Sequence, residues 1–188
     1  GLVGNDGATH HGIFDIALLK SIPNMMIAAP SNEIELRNVL YTVSKGVSRP
    51  IAIRYPRGRG NIMDWQQEFQ AIELGKFQQL KKGSQIAVVS LGTLRNEVEK
   101  TIKMLDEDAT KKVAHYDIRF VKPFQNEFFE MLFNEYSCII TLEDGSIKGG
   151  FGEEVSAFAH QKNYQGKVMN LGIPDEFIEQ GSSEELYD

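Results

Sequence analysis

The sequence predicts an α/β protein built from the carboxy-terminal half of one α/β domain, a linker, and a nearly complete second α/β domain. Three observations carry that expectation. Short apolar runs such as "NMMIAAP" and "SQIAVVSLG" alternate with helical segments such as "TLRNEVEKTIKMLDED". Strands alternating with helices imply a mostly parallel sheet covered on both faces. Between residues 61 and 82 the rhythm breaks into a polar, Gln-rich stretch, then restarts and runs on. At 188 residues, 41% of them hydrophobic, the chain has the length and composition for one globular domain plus part of another. The expected division is residues 1–60, 61–82 and 83–188.

Taken in order, "GLVG" reads as the end of a buried strand. "HGIFDIALLKSIP" places Ile13, Phe14, Ala17 and Leu18 at helical spacing and stops before Pro23. "NMMIAAP" is a buried strand closed by Pro30. Ser31 or Asn32 caps the next helix, and Glu35 stands three residues after Asn32, as in a capping box. Leu36, Val39, Leu40 and Val43 form that helix's apolar stripe. Ile51 to Tyr55 read as a strand running into a basic loop. The Gln-rich stretch reads as a linker with one or two short strands, anchored by Trp65. In the second half, "SQIAVVSLG", "KKVAHYDIRF", "SCIITLED" and "KVMNLGIP" are strands. "TLRNEVEKTIKMLDED" is an amphipathic helix with Val98, Ile102 and Leu105 inward. "NEFFEMLFNEY" and "GGFGEEVSAFAHQKN" are the other helices.

Composition excludes several function classes. The formal charge of -6 argues against a general nucleic-acid role, because phosphate backbones reward clustered Lys and Arg. No apolar run approaches the ~20 residues of a membrane span. One cysteine, Cys138, allows neither an internal disulfide nor a zinc cluster and fits a reducing, cytoplasmic setting. No signal peptide is visible, and Gly1 in place of Met reads as a chain cut inside a folded element.

Three stretches have the residues for chemistry. In "NDGATHHG", Asp6 and His10 lie four apart on a loop between a strand end and a helix start. Ligands gather at such carboxyl ends in open α/β sheets. An acid and an imidazole there can bind a hydroxylated or carbonyl substrate and move protons. The same spacing also suits an Asx-turn at Asp6 with His10 capping the helix. A metal site is disfavoured because no third ligand follows at sensible spacing. In "IRYPRGRG", Arg54, Arg57 and Arg59 fall within six residues with no acid among them. Guanidinium groups bond phosphate or carboxylate bidentately. The alternative is a solvated loop that pairs with the acidic second domain. Alternation along the strand puts Arg54 and Arg57 in different settings. "EDGSIKGGFGEE" is a glycine turn before a helix, where phosphates can bind. It lacks a full dinucleotide fingerprint because Val155 holds the last position, and it lacks a P-loop Lys. A tight strand-to-helix turn is the plainer reading. Cys138, His115 and His160 read as structural, and nothing suggests a Ser-His-Asp triad.

The pieces occur in an order that resembles the 1-deoxy-D-xylulose-5-phosphate synthase family, within the thiamine-diphosphate-dependent transketolase superfamily. "GLVGNDGATHHGIFD", "SIPNMMIAAPSNEIELRNVLYT", "RPIAIRYPRG", "SLGT", "DIRFVKPF", "EDGSIKGGFG" and "NLGIPDEFIEQGS" carry the likeness across essentially the whole chain. Transketolase shares the Asp-Gly-x-Thr-His core, whereas "IRYPRG" and "GIPDEFIEQG" are similar to the synthases. An E1-type dehydrogenase β-subunit shares the architecture but not the Asp6 to His10 motif. The resemblance implies half of a transketolase-type pyrimidine-binding domain followed by a transketolase C-terminal domain. It implies a transferase that condenses pyruvate with glyceraldehyde 3-phosphate, with loss of CO2, for isoprenoid, thiamine and pyridoxal synthesis.

By position, the resemblance makes Asp6 and His10 acceptor-binding and catalytic residues, and Arg57 the residue on the acceptor's phosphate. The family usually has Gln at His11. Its activating glutamate, its Gly-Asp-Gly diphosphate and metal motif, and its pyruvate-handling histidines would precede Gly1. The family's terminal helix would follow Asp188. The expectation is therefore a fragment that lacks the ligands for thiamine diphosphate and Mg2+ and is inactive alone. Whole, the protein would be a homodimer in the cytoplasm, or in a plastid if from a plant. A transketolase-type ketol transferase and a non-catalytic assembly domain of the same fold are the competing readings.

Overall fold

A computed structural model describes the chain apart from Arg59, Asn61, Met63, Trp65 and Asp188. The expected anchoring role of Trp65, and any role of Arg59, lie outside the described residues. Two sheets organise the rest. Helix α1 (Asp15–Lys20) leads into β1 (Met26–Ala28), α2 (Glu33–Ser44) and β2 (Ile51–Ile53). Strand β3 (Gln78–Lys81) follows the Gln-rich stretch, then β4 (Ile86–Ser90), α3 (Leu94–Met104) and α4 (Glu107–Lys112). Strands β5 (Val113–Asp117) and β6 (Phe120–Lys122) precede α5 (Asn126–Glu135) and β7 (Cys138–Ser146). Helix α6 (Phe151–Gln161), β8 (Lys167–Ile173) and α7 (Ser183–Tyr187) complete the order.

The larger sheet runs β3-β5-β4-β7-β8, with all neighbours parallel except β3. Its central strands carry the continuous apolar character that coverage on both faces demands; every residue of β5 is buried. The smaller sheet runs β2-β1-β6. Here β1 and β2 are parallel, and β6 joins β1 antiparallel. The α/β expectation therefore holds, with two antiparallel additions. β6 is the more consequential, because a strand from the second half of the chain completes the sheet of the first. A single apolar cluster accordingly runs through both halves, from Ile16, Ile27 and Ala29 to Phe129, Ile139 and Phe151. The β3 edge is held by aromatic contacts. Phe77 stacks on Phe128 at 4.0 Å, and the Tyr116 hydroxyl meets Gln79 Nε2 at 3.0 Å and the Tyr136 hydroxyl at 2.9 Å.

Several local expectations are corrected. Residues 1–3 form no strand; Gly1 and Gly12 instead exchange backbone bonds of 2.9 and 2.8 Å. In α1 the buried side chains are Ile13, just before it, and Ile16, whereas Leu18 is exposed. The helix starts later than its apolar spacing predicts, which rotates its face. Helix α2 is capped as expected, with Asn32 Oδ1 accepting from Glu35 N at 2.9 Å. Its buried face is Glu35, Asn38 and Val39, and Leu40 points outward. The helix predicted after Thr93 is two: α3, then α4, capped by Asp106 Oδ1 on Ala109 N at 2.8 Å.

Glu35 is buried because α2 faces the loop joining β5 to β6. Arg119, in that loop with φ of 59°, pairs with Glu35 at 2.8 Å. Asp117 Oδ1 accepts from Arg119 N at 3.0 Å. On its other side Asp117 faces Arg95 of α3 at 3.7 Å. The halves are thus joined by a shared sheet, a shared core and a buried ionic seam.

Candidate functional site

The first sheet meets the second along the carboxyl ends of β1, β2 and β4, where α/β proteins place ligands. A cleft of about 560 Å³ opens there. Its walls are His10, the residues following β2 from Arg54 to Arg57, the turn Leu91–Thr93 after β4, and Asp144 of β7.

The His10 wall is a loop built on positive-φ glycines. Gly4 and Gly7 sit at φ of 73° and 71°, a region that costs other residues energy. A Cβ at Gly7 would rest against Gln180 Cβ at 3.4 Å, an ordinary contact, so it is the positive φ that calls for glycine there. The turn closes through Gly7 N to Gly4 O at 3.2 Å and His10 N to Gly7 O at 3.0 Å. The root of the loop is tied across the halves, with Leu2 N donating to Asp144 Oδ1 at 3.1 Å. His10 is exposed to the cleft, its Nδ1 2.9 Å from Thr9 Oγ1. Its neighbour is the reverse: His11 is buried, Nδ1 lies 3.0 Å from Val3 N, and Nε2 lies 3.3 Å from Glu179 O.

The arginine loop divides as alternation along the strand predicts. Arg54 turns inward. Its Nε and Nη2 bond the two oxygens of Asp15 at 2.7 and 3.2 Å, and Nη2 also donates to Asp144 O at 2.7 Å. Through Nε and Nη2 it ties α1 to β7. Arg57 is mostly exposed and forms an ion pair with Asp6 across the mouth of the cleft. The cleft therefore brings His10 and Arg57 together directly, and Asp6 joins them through Arg57.

The glycine turn before α6 is filled by the protein itself. Glu143 accepts from Phe151 N and Gly152 N at 2.8 Å each, one oxygen to each amide. A Cβ on Gly150 would meet both Glu143 oxygens at 2.7 Å, so the glycine allows the carboxylate in. Burial, against the pull of those two amides, raises Glu143 to about 7. The α6 amino terminus, where an anion would dock, already holds one. Sequence reasoning missed this carboxylate; its signal was an acid placed just before the glycine run. Among the described residues there is no group of three or more His, Cys, Asp or Glu able to hold a metal. The α6 turn, occupied by Glu143, is thus not free to cradle a diphosphate.

Of the residues read as structural, Cys138 is half-buried in β7 and His160 is exposed on α6. His115 is buried, with Nε2 2.8 Å from Ser90 Oγ, and burial lowers it to about 4. A slightly larger groove, about 640 Å³, lies at the opposite end of the β7 and β8 strands. Its charged members Glu130 and Lys162 pair with each other at 2.6 Å, so no convergent charge is left for a ligand. No helix among the described residues is long and apolar enough to cross a membrane.

Comparison with known proteins agrees with this architecture. Residues 1–62 match the transketolase pyrimidine-binding domain and residues 75–188 the transketolase C-terminal domain. The 1-deoxy-D-xylulose-5-phosphate synthases of Parabacteroides distasonis and Phocaeicola vulgatus are 48% and 43% identical over 187 residues. Those alignments use 100% of this chain but 29% and 30% of the relatives. A split-gene transketolase solved as an inactive β4 tetramer superposes with a TM-score of 0.76 at 25% identity, over 89% of this chain and 54% of that one. Campylobacter jejuni transketolase shares the fold, with a TM-score of 0.67 at 19% identity over 98% of this chain and 27% of that one.

Proposed function

Because the chain belongs to the transketolase family, we propose that it is the acceptor-binding portion of a 1-deoxy-D-xylulose-5-phosphate synthase. The observation that carries this is the cleft in which Arg57 and His10 face one ligand volume with Asp6 against Arg57. Identity to named synthases along the full chain supports the branch. We divide the chain into residues 1–60, a linker 61–82 and residues 83–188; the family matches over residues 1–62 and 75–188 support two units but give the last part of the linker, with β3, to the second.

The acceptor fitting this set is a short phosphorylated aldehyde, glyceraldehyde 3-phosphate. Arg57 holds the phosphate, as the cleft's exposed guanidinium. Phosphate takes over the guanidinium from Asp6, which then accepts from an acceptor hydroxyl. His10, with Nδ1 engaged by Thr9, presents Nε2 to the aldehyde oxygen that gains charge as the carbon–carbon bond forms. Leu91, Gly92 and Thr93 close the far wall and limit water. Family membership implies thiamine diphosphate dependence; we assign the cofactor's diphosphate, Mg2+ and pyruvate sites to the remaining segments of the protein. A cytoplasmic homodimer is the form in which this chain would work.

The spanned length, 29–30% of the relatives, and the inactive β4 tetramer of the split-gene transketolase support inactivity of this chain alone. The test is a donor panel. The whole protein should consume pyruvate, release CO2 and leave ketose phosphates untouched, while the 188-residue chain alone should release none. Ketose phosphate turnover by the whole protein favours ketol transfer, and decarboxylation by the chain alone overturns the division of labour.

A further inference from the structure

His11 has both ring nitrogens engaged in a buried position. Nδ1 lies 3.0 Å from the Val3 amide, which can only donate. Nδ1 is therefore the acceptor, and the ring proton sits on Nε2, which donates to Glu179 O at 3.3 Å. The two contacts join segments far apart in sequence. Val3 follows Leu2, held by Asp144, and Glu179 lies in the stretch after β8. Two further contacts join the same pair of segments. Gly7 faces Gln180, whose Cβ lies 3.4 Å from where a Cβ on the glycine would stand, and Phe14 meets Phe177 edge-on at 5.7 Å. The loop carrying Asp6 and His10 thus rests on residues 177–180, and His11 is its hydrogen-bonded fastening.

We infer that His11 is a positioning residue for the acceptor site: its Nε2-protonated ring clamps the loop to Glu179 and fixes Asp6 and His10 opposite Arg57. This rests on the acceptor reading above. A glutamine offers the same pair, an oxygen to accept from Val3 and an amide to donate to Glu179, whereas leucine offers neither.

The test is acceptor and donor kinetics in the whole protein, joined to 15N-histidine spectra of the chain. The spectra should show His11 with Nδ1 unprotonated and Nε2 protonated. His11→Leu should raise the acceptor KM about tenfold, as expected for loss of a buried hydrogen-bonded tether, with the pyruvate KM little changed. His11→Gln should restore the acceptor KM to within about threefold of the parent. A Nδ1-protonated ring overturns the inference, as does an unchanged acceptor KM in His11→Leu when Arg57→Ala raises it. An unchanged KM in both variants overturns the acceptor reading itself, and this inference with it.

Discussion

Arg54 and Arg57 stand three residues apart and do opposite work. Arg54 is nearly enclosed, with 13% of its side chain exposed, and its partners Asp15 and Asp144 come from α1 and β7. Removing one member of a largely buried pair leaves the other charge stranded. Arg54→Ala should therefore cost about 2–3 kcal/mol of folding stability, read as a lower denaturant midpoint. An unchanged midpoint would show that Asp15 finds water instead. The sequence separates the two arginines, because strand alternation alone puts them on different faces. It could not reveal that Arg54 reaches Asp15, 39 residues away, because that pairing depends on how α1 lies across the sheet. Asp6 shows the same limit. Its place on a functional loop is legible, but its pairing with Arg57 is not.

The elements themselves were mostly legible, since buried strands and capped helices write local signals. The cap at Asn32 and strands β4, β5 and β7 follow directly from residue type and spacing. In helix α1 apolar spacing gives a face but not a starting residue, and Leu18 stands in solvent. "GLVG" forms no strand because its backbone bonds go to Gly12, to the Asp144 side chain and to the His11 ring rather than to a sheet neighbour. Helix α6 is the instructive element. Its glycine-rich start looked open to phosphate, yet Glu143 fills it with two 2.8 Å bonds. Glu143→Ala should leave the Phe151 and Gly152 amides without partners in a buried place, at about 1–3 kcal/mol for each unsatisfied donor. Thermal denaturation of that variant should fall clearly below the parent; an equal melting temperature would mean that α6 does not depend on its cap.

Joining the two halves is what no local signal could announce. β6 crosses from the second half to pair with β1, and beside it Asp117, Glu35, Arg119 and Arg95 form the seam. Burial first, and the nearby Glu35 charge second, raise Asp117 from 3.8 to about 7; the Ser31 hydroxyl, Arg95 and the Arg119 amide pull the other way. Asp117 Oδ2 has no hydrogen-bond partner, which fits a carboxyl that keeps its proton. The folded state thus holds a proton that the unfolded chain has released. The stability this gives is complete below about 3.8 and is lost as pH rises toward 7. Asp117→Asn should flatten the stability–pH curve in that window by up to about 1.4 kcal/mol per pH unit. An unaltered slope in urea denaturation across the window would place the titration elsewhere. Because the seam and β6 set the two walls of the cleft against each other, the site belongs to the joined molecule and to neither half. Whether that cleft receives the phosphorylated acceptor is read most directly from Arg57→Ala in the whole protein, with pyruvate and glyceraldehyde 3-phosphate varied separately. Loss of a charge-assisted phosphate contact predicts an acceptor KM raised about 30- to 100-fold with the pyruvate KM nearly unchanged. An acceptor KM equal to the parent's, or a rise confined to pyruvate, would contradict it.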